Sequence, residues 1–167
     1  MFARRLVRSL RVLVPVAALA ASCAPRVDIK EAVEVADASG GWYDAGIVEG
    51  KNKIVPTVTF RLRKKADVDV AGVAINVVFR HPTAPGAATE DWDEVFVQNA
   101  QFAEGTQTPP LTVRSEKGYT GDPPQSRLDL FKNSQFRDVR AVVFGKNTST
   151  QWVELGAIEV PRQLITR

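Results

Sequence analysis

The chain of 167 residues holds one cysteine and one histidine. With Cys23 alone, no disulfide can form within the chain. With His81 alone, no His–His metal pair can form, and a Ser–His–carboxylate set would have to draw on that one imidazole. His81 precedes Pro82 where a strand pattern gives way to a loop, so it is expected to be an exposed loop residue. Long apolar runs are also missing. The longest, Val12 to Ala21, is about ten residues and contains Pro15, well short of the ~20 that a membrane-spanning helix needs. There is no internal repeat, no low-complexity segment and no sustained helical periodicity.

What is present begins at the N-terminus. Arg4, Arg5, Arg8 and Arg11 form a basic head, Val12 to Ala21 an apolar run, and Ala20-Ala21-Ser22 lead directly into Cys23. A basic segment, a short apolar segment and small residues together make an export signal. A cysteine directly after the small residues predicts a lipoprotein signal peptide over residues 1–22, with the Cys23 thiol diacylated as the new N-terminus. Ala18-Leu19-Ala20 also fits the cleavage site of ordinary secretion, and Ala20 stands where a lipobox usually has a branched apolar residue. Lipidation accounts for the lone cysteine and its position together, because a free thiol is out of place in an oxidising compartment. The expected organisation is a signal over 1–22, an acylated cysteine and tether over 23–31, and a folded domain over 32–167. The expected location is a bacterial membrane, on its periplasmic or exterior side.

Removing the signal changes the charge. The chain carries 22 Lys+Arg against 19 Asp+Glu, but the first 22 residues hold four arginines and no acid, leaving 18 against 19. A nearly neutral remainder gives no electrostatic reason to expect nucleic acid as a partner. Arg61, Arg63, Lys64 and Lys65 form the one positive group, placed by alternation on the wet side of a strand and its turn. It reads as a solvated face rather than a phosphate or lipid-headgroup site.

Period-two patterning runs through the rest. Ile54, Pro56, Val58, Phe60 and Leu62 alternate with Val55, Thr57, Thr59, Arg61 and Arg63, which is a half-buried strand. Pro56 cannot donate to a ladder and belongs at an edge or a strand start. Val68 and Val70, then Val73, Ile75, Val77 and Phe79, form a second pattern whose phase slips near Gly72, predicting a bulge there. Shorter strands fit Ala32–Ala36, Glu94–Gln98, Leu111–Arg114, Val139–Gly145 and Trp152–Val160, the last shifting phase at Gly156. A helical turn fits Arg127–Asn133. About seven strands with turn-rich spacers describe an all-β, Ig-like β-sandwich. Its long loops, His81 to Asp91 and Ser115 to Ser126, are where binding residues tend to sit.

Reactive groups are sparse. Acylation of Cys23 removes its thiolate chemistry. Asp91, Asp93 and Glu94 cluster around Trp92, and Asp44 follows Tyr43; acids at a loop-to-strand junction read as solvated turn residues before a catalytic pair. Gly46 to Asn52 lacks the spacing and hydroxyl of a phosphate-binding loop. No catalytic residue, metal site or cofactor is expected. Trp42 and Tyr43 lie within Gly40-Gly41-Trp42-Tyr43-Asp44-Ala45-Gly46, and Tyr119 within Gly118-Tyr119-Thr120-Gly121. Trp42 is expected to plug one end of the sandwich, while Trp42, Tyr43 and Tyr119 form a candidate partner-binding patch, since amphipathic rings anchor interfaces. Trp152, in an apolar strand pattern, is expected in the core.

Gly41 to Gly46, Gly50-Lys51-Asn52-Lys53-Ile54-Val55-Pro56, Gly118 to Gly121, Asn133-Ser134-Gln135-Phe136 and Arg162 to Arg167 resemble stretches of bacterial exported proteins and lipoproteins of uncharacterised function. The resemblance implies an Ig-like sandwich in the cell envelope and transfers no site. Three functions follow as expectations: a lipid-anchored, non-catalytic binding or adaptor module for an envelope protein; an accessory carrier, in an envelope transport system, of a small apolar ligand held between the sheets or at one open end; and a hydrolase using the carboxylates near Trp92. The first is preferred.

Overall fold

The computed structural model describes residues 27–65, 68, 70–102, 105–147 and 151–165. The expected export signal and Cys23 lie outside them. The described residues form an all-β, Ig-like sandwich of two sheets. In chain order the elements are α1 (Ile29–Ala32), β1 (Val33–Val48), β2 (Lys51–Lys64), β3 (Gly72–His81), β4 (Glu90–Gln101), β5 (Leu111–Arg114), β6 (Tyr119–Gly121), α2 (Arg127–Leu130), β7 (Val139–Lys146), β8 (Val153–Val160) and β9 (Leu164–Ile165). One sheet runs β5-β2-β1-β9 with β6 also on β2, and the other runs β4-β3-β7-β8.

Alternation places one set of side chains between the sheets. Trp42, Ile54, Val58, Phe60 and Leu62 from one sheet meet Val73, Ile75, Val77, Phe79, Ala141 and Val143 from the other, all excluded from solvent. Burying each large side chain of this kind contributes about 1.5–3 kcal/mol. The tether expected through Glu31 is shorter than read. Asp28 caps α1 by accepting from the Lys30 N–H, and Ile29 is buried in the core, so the fold begins before residue 32.

Strand directions define two ends. Val33 opposes Lys64 at the end where the chain enters, and the start of β3 joins it there, with Ala74 opposite Lys146. The β1–β2 hairpin turns at the far end, where Glu49 and Gly50 both take positive φ, 51° and 77°. Two such residues between Val48 and Lys51 make the tight turn whose twist matches paired strands. His81, Glu90, Val139 and Val160 reach the same end.

One irregularity falls close to where the residues placed it, and two do not. β8 carries an extra residue at Leu155, beside Gly156. The slip before β3 has another cause: β3 itself starts at Gly72, and the bulge lies in β4, where Asn99 has φ 57°. Pro56 sits in an inner strand rather than at an edge. It falls between the stretch of β2 that pairs with β6, Asn52–Ile54, and the stretch that pairs with β5, Thr57–Phe60. On that side the ladder is interrupted, so the missing N–H breaks no pairing.

Candidate functional site

The far end is built around one indole. Trp42 is 0% exposed and lies within 4.8 Å of Phe136, 5.7 Å of Tyr119, 6.1 Å of Phe131 and 6.2 Å of Trp92, centroid to centroid. It is therefore the plug of this end and is corrected as a contact residue: no partner can reach it. Tyr119 lies half-buried in the same bundle and accepts at its hydroxyl from the Arg137 N–H, 2.9 Å away. Tyr43 follows Trp42 in a strand and so points to the opposite face. There the Arg114 guanidinium sits 3.7 Å from its ring centroid. The three aromatics do not form one patch.

His81 is corrected too. It ends β3, is buried, and stacks at 5.2 Å on Trp92. Its Nδ1 lies 3.0 Å from the Asp138 carbonyl oxygen; a carbonyl only accepts, so Nδ1 carries the proton. Two shallow clefts of about 250 Å³ each flank this ring. Arg80, Thr83, Thr89, Arg140 and Glu154 line one; Arg137, Asp138 and Arg162 line the other.

The acids near Trp92 are each engaged by a neighbour. Asp91 accepts from Arg80 Nε and Glu94 from Asn76 Nδ2. Asp93 accepts from the Ser115 hydroxyl and from the N–H groups of Glu116 and Lys117 at 2.7 and 3.2 Å. Burial works to raise the Asp93 carboxyl, but the Ser115 hydroxyl and the N–H groups of Lys117, Glu116 and Glu94 outweigh it and hold the group below the ordinary aspartate value. Asp138 is also held low, by the hydrogen bond from Arg162. A carboxylate so stabilised is a poor proton donor at neutral pH. Asp44 accepts from its own Gly46 N–H and from Arg127 Nε, at 2.8 and 3.0 Å, and ties the hairpin to α2.

What this end leaves open is the hairpin tip. Ile47 is 66% exposed and Val48 is exposed beside it. Neither was singled out from the residues, because a hairpin tip reads as a turn and its projection depends on tertiary packing. The space an apolar ligand would need between the sheets is filled by Trp42, Phe60, Phe79, Ile54 and Leu62. Among the described residues, no helix is long and apolar enough to cross a membrane. Comparison with protein-family models, with curated proteins and with solved structures finds no match for this chain.

Proposed function

We propose that the protein is a lipid-anchored envelope lipoprotein, of the exported kind its sequence resembles, that binds a protein partner without catalysing a reaction. The observation that carries this reading is the opposition of two features. Cys23 precedes by four residues Val27, from which the chain enters one end of the sandwich, and the exposed Ile47–Val48 tip lies at the other end. A 16-residue β1 rising ~3.3 Å per residue extends on the order of 50 Å, which carries the tip well away from the anchored end. Apolar side chains held on a rigid hairpin there suit capture of another envelope protein, either by side-chain contact or by extension of a sheet. The acids that a hydrolase would use are tied into loop geometry, which favours binding over catalysis.

A photo-crosslinking residue placed at Ile47 of the full chain in intact cells tests this reading. A discrete protein adduct from Ile47, with none from the same probe at exposed Thr112, supports it. No adduct at Ile47, or the same pattern from both positions, overturns it.

A further inference from the structure

Trp152 is 36% exposed and lies outside the core that its strand pattern predicted. It folds onto Phe96, ring centroids 5.7 Å apart and edge to face, although β3 and β7 lie between β4, which carries Phe96, and β8, which Trp152 immediately precedes. Phe96 is itself 51% exposed. Lys146 places its ammonium 4.6 Å from the Trp152 ring centroid. Two aromatic rings and a lysine thus form a ledge on the outer face of the four-stranded sheet.

The position of the ledge selects its occupant. Lys146 opposes Ala74 near the start of β3, the end at which α1 receives the chain. Lys64 and Lys65 are at this end as well, and Lys65 donates from Nζ to the Lys30 carbonyl of α1 at 2.7 Å. From Cys23 to Val27 the backbone spans at most about 14 Å even when fully extended. We infer that the Trp152–Phe96–Lys146 ledge rests in the headgroup layer of the membrane that holds the acylated Cys23. This rests on the lipoprotein reading above.

The chemistry suits a lipid surface. An indole offers an apolar body with one polar N–H, which is the form that settles at the boundary between headgroups and acyl chains. A lysine keeps its ammonium among the phosphates while its stem lies along apolar surface. Glu94 and Glu154 stand on the same sheet, so insertion of the rings, rather than net charge, supplies the attraction. Such a small ledge would not hold a free protein on a bilayer. A tether changes that, because the second contact becomes intramolecular and its effective concentration is high. The ledge therefore sets orientation: the domain leans on its four-stranded sheet and leaves the Ile47 hairpin of the other sheet free.

The test uses full-length acylated protein in phosphatidylethanolamine–phosphatidylglycerol vesicles carrying a brominated phospholipid, with the N-terminal mass measured in the same sample. Tryptophan emission is expected to be quenched, and Trp152→Phe is expected to reduce quenching to what Trp42 and Trp92 give. Phe96→Glu should weaken quenching while the protein stays vesicle-bound. Acylated, vesicle-bound protein whose quenching is unchanged by Trp152→Phe overturns the ledge alone. So does a protein adduct from a crosslinker at Phe96 without quenching. An unmodified N-terminus with no vesicle association overturns both the ledge and the anchor.

Discussion

Ser115 donates a hydrogen bond from its hydroxyl to Asp93 across the seam between the two sheets, Oγ to Oδ2 2.5 Å apart. Asp93 belongs to β4, the edge of one sheet, and Ser115 follows β5, the edge of the other. Lys117 adds a bond from its Nζ to the Trp92 carbonyl at 2.7 Å. Among the described residues, no carboxylate clamp of this kind closes the opposite seam. There β1 and β8 approach until a side chain on Gly40 would meet the Glu159 carbonyl oxygen. One side of the sandwich is closed by a carboxylate, the other by bare backbone.

The clamp predicts an acid-sensitive domain. The folded-state pKa of Asp93 lies below its ordinary value, so its contribution to stability is fully present above the unfolded value of about 3.9. It is lost as pH falls from there through the folded value. Asp138, held low by Arg162, acts with the same sign. Asp93→Asn should lower the melting temperature at pH 7 and flatten its fall below about pH 4, without abolishing it. Thermal melts from pH 7 down to pH 2 check this, and parallel curves for both proteins would refute it.

Truncating the plug should be costly. Trp42→Ala removes a fully buried ring and is expected to cost about 3–5 kcal/mol, the usual range for emptying so large a core site. Trp42→Phe should cost less, because it also removes an indole N–H that has no hydrogen-bond partner among the described residues. Tyr43→Ala should be milder than either, since that ring lies on the outer face with Arg114. Denaturant midpoints of the three variants check the order.

Gly40→Ala is expected to be worse than any loss of propensity explains. The added Cβ would lie 2.3 Å from the Glu159 carbonyl oxygen, a backbone atom of β8 that cannot rotate away. The seam must open or β1 must shift, and either disturbs the packing of Trp42 two residues on. A melting temperature within a few degrees of wild type, equivalent to less than about 1 kcal/mol, would refute the close approach.

Much of this architecture was legible, and the misses share a cause. Alternation identified the inward faces of β2 and β3 because their apolar side chains simply follow the pleat, and Leu111–Arg114 and the helical turn at Arg127 were placed correctly. Gly40-Gly41-Trp42-Tyr43 fell outside the strands that alternation marked, yet it is the middle of β1. Gly40 and Gly41 are small there because β8 and the segment leading into β9 pack against them. His81 read as exposed because Pro82 ends its strand, and nothing local reveals that Trp92 and Asp138 enclose it. Trp152 shows the same limit from the other side. A residue at a strand's start has no pleat to hold it, so its apolar character could not say which face it covers. Asp93 and Ser115 are 22 positions apart, and only the closed sandwich makes them partners.

The anchor itself is decided at Cys23. Lipoprotein processing would cut after Ser22 and leave a diacylated Cys23; ordinary secretion at Ala18-Leu19-Ala20 would leave a chain that begins at Ala21 with a free thiol. The N-terminal mass of the mature protein separates the two directly. Cys23→Ala should abolish labelling by radioactive palmitate and move the protein from the membrane to the soluble fraction, while its melting temperature stays unchanged. Palmitate retained on Cys23→Ala, or membrane retention of an unlabelled chain, would require a different anchor. The ledge at Trp152 offers too little apolar surface to hold the domain without one. Even a single myristoyl chain gives only marginal, reversible membrane binding, so loss of the Cys23 lipid should release the whole population rather than part of it.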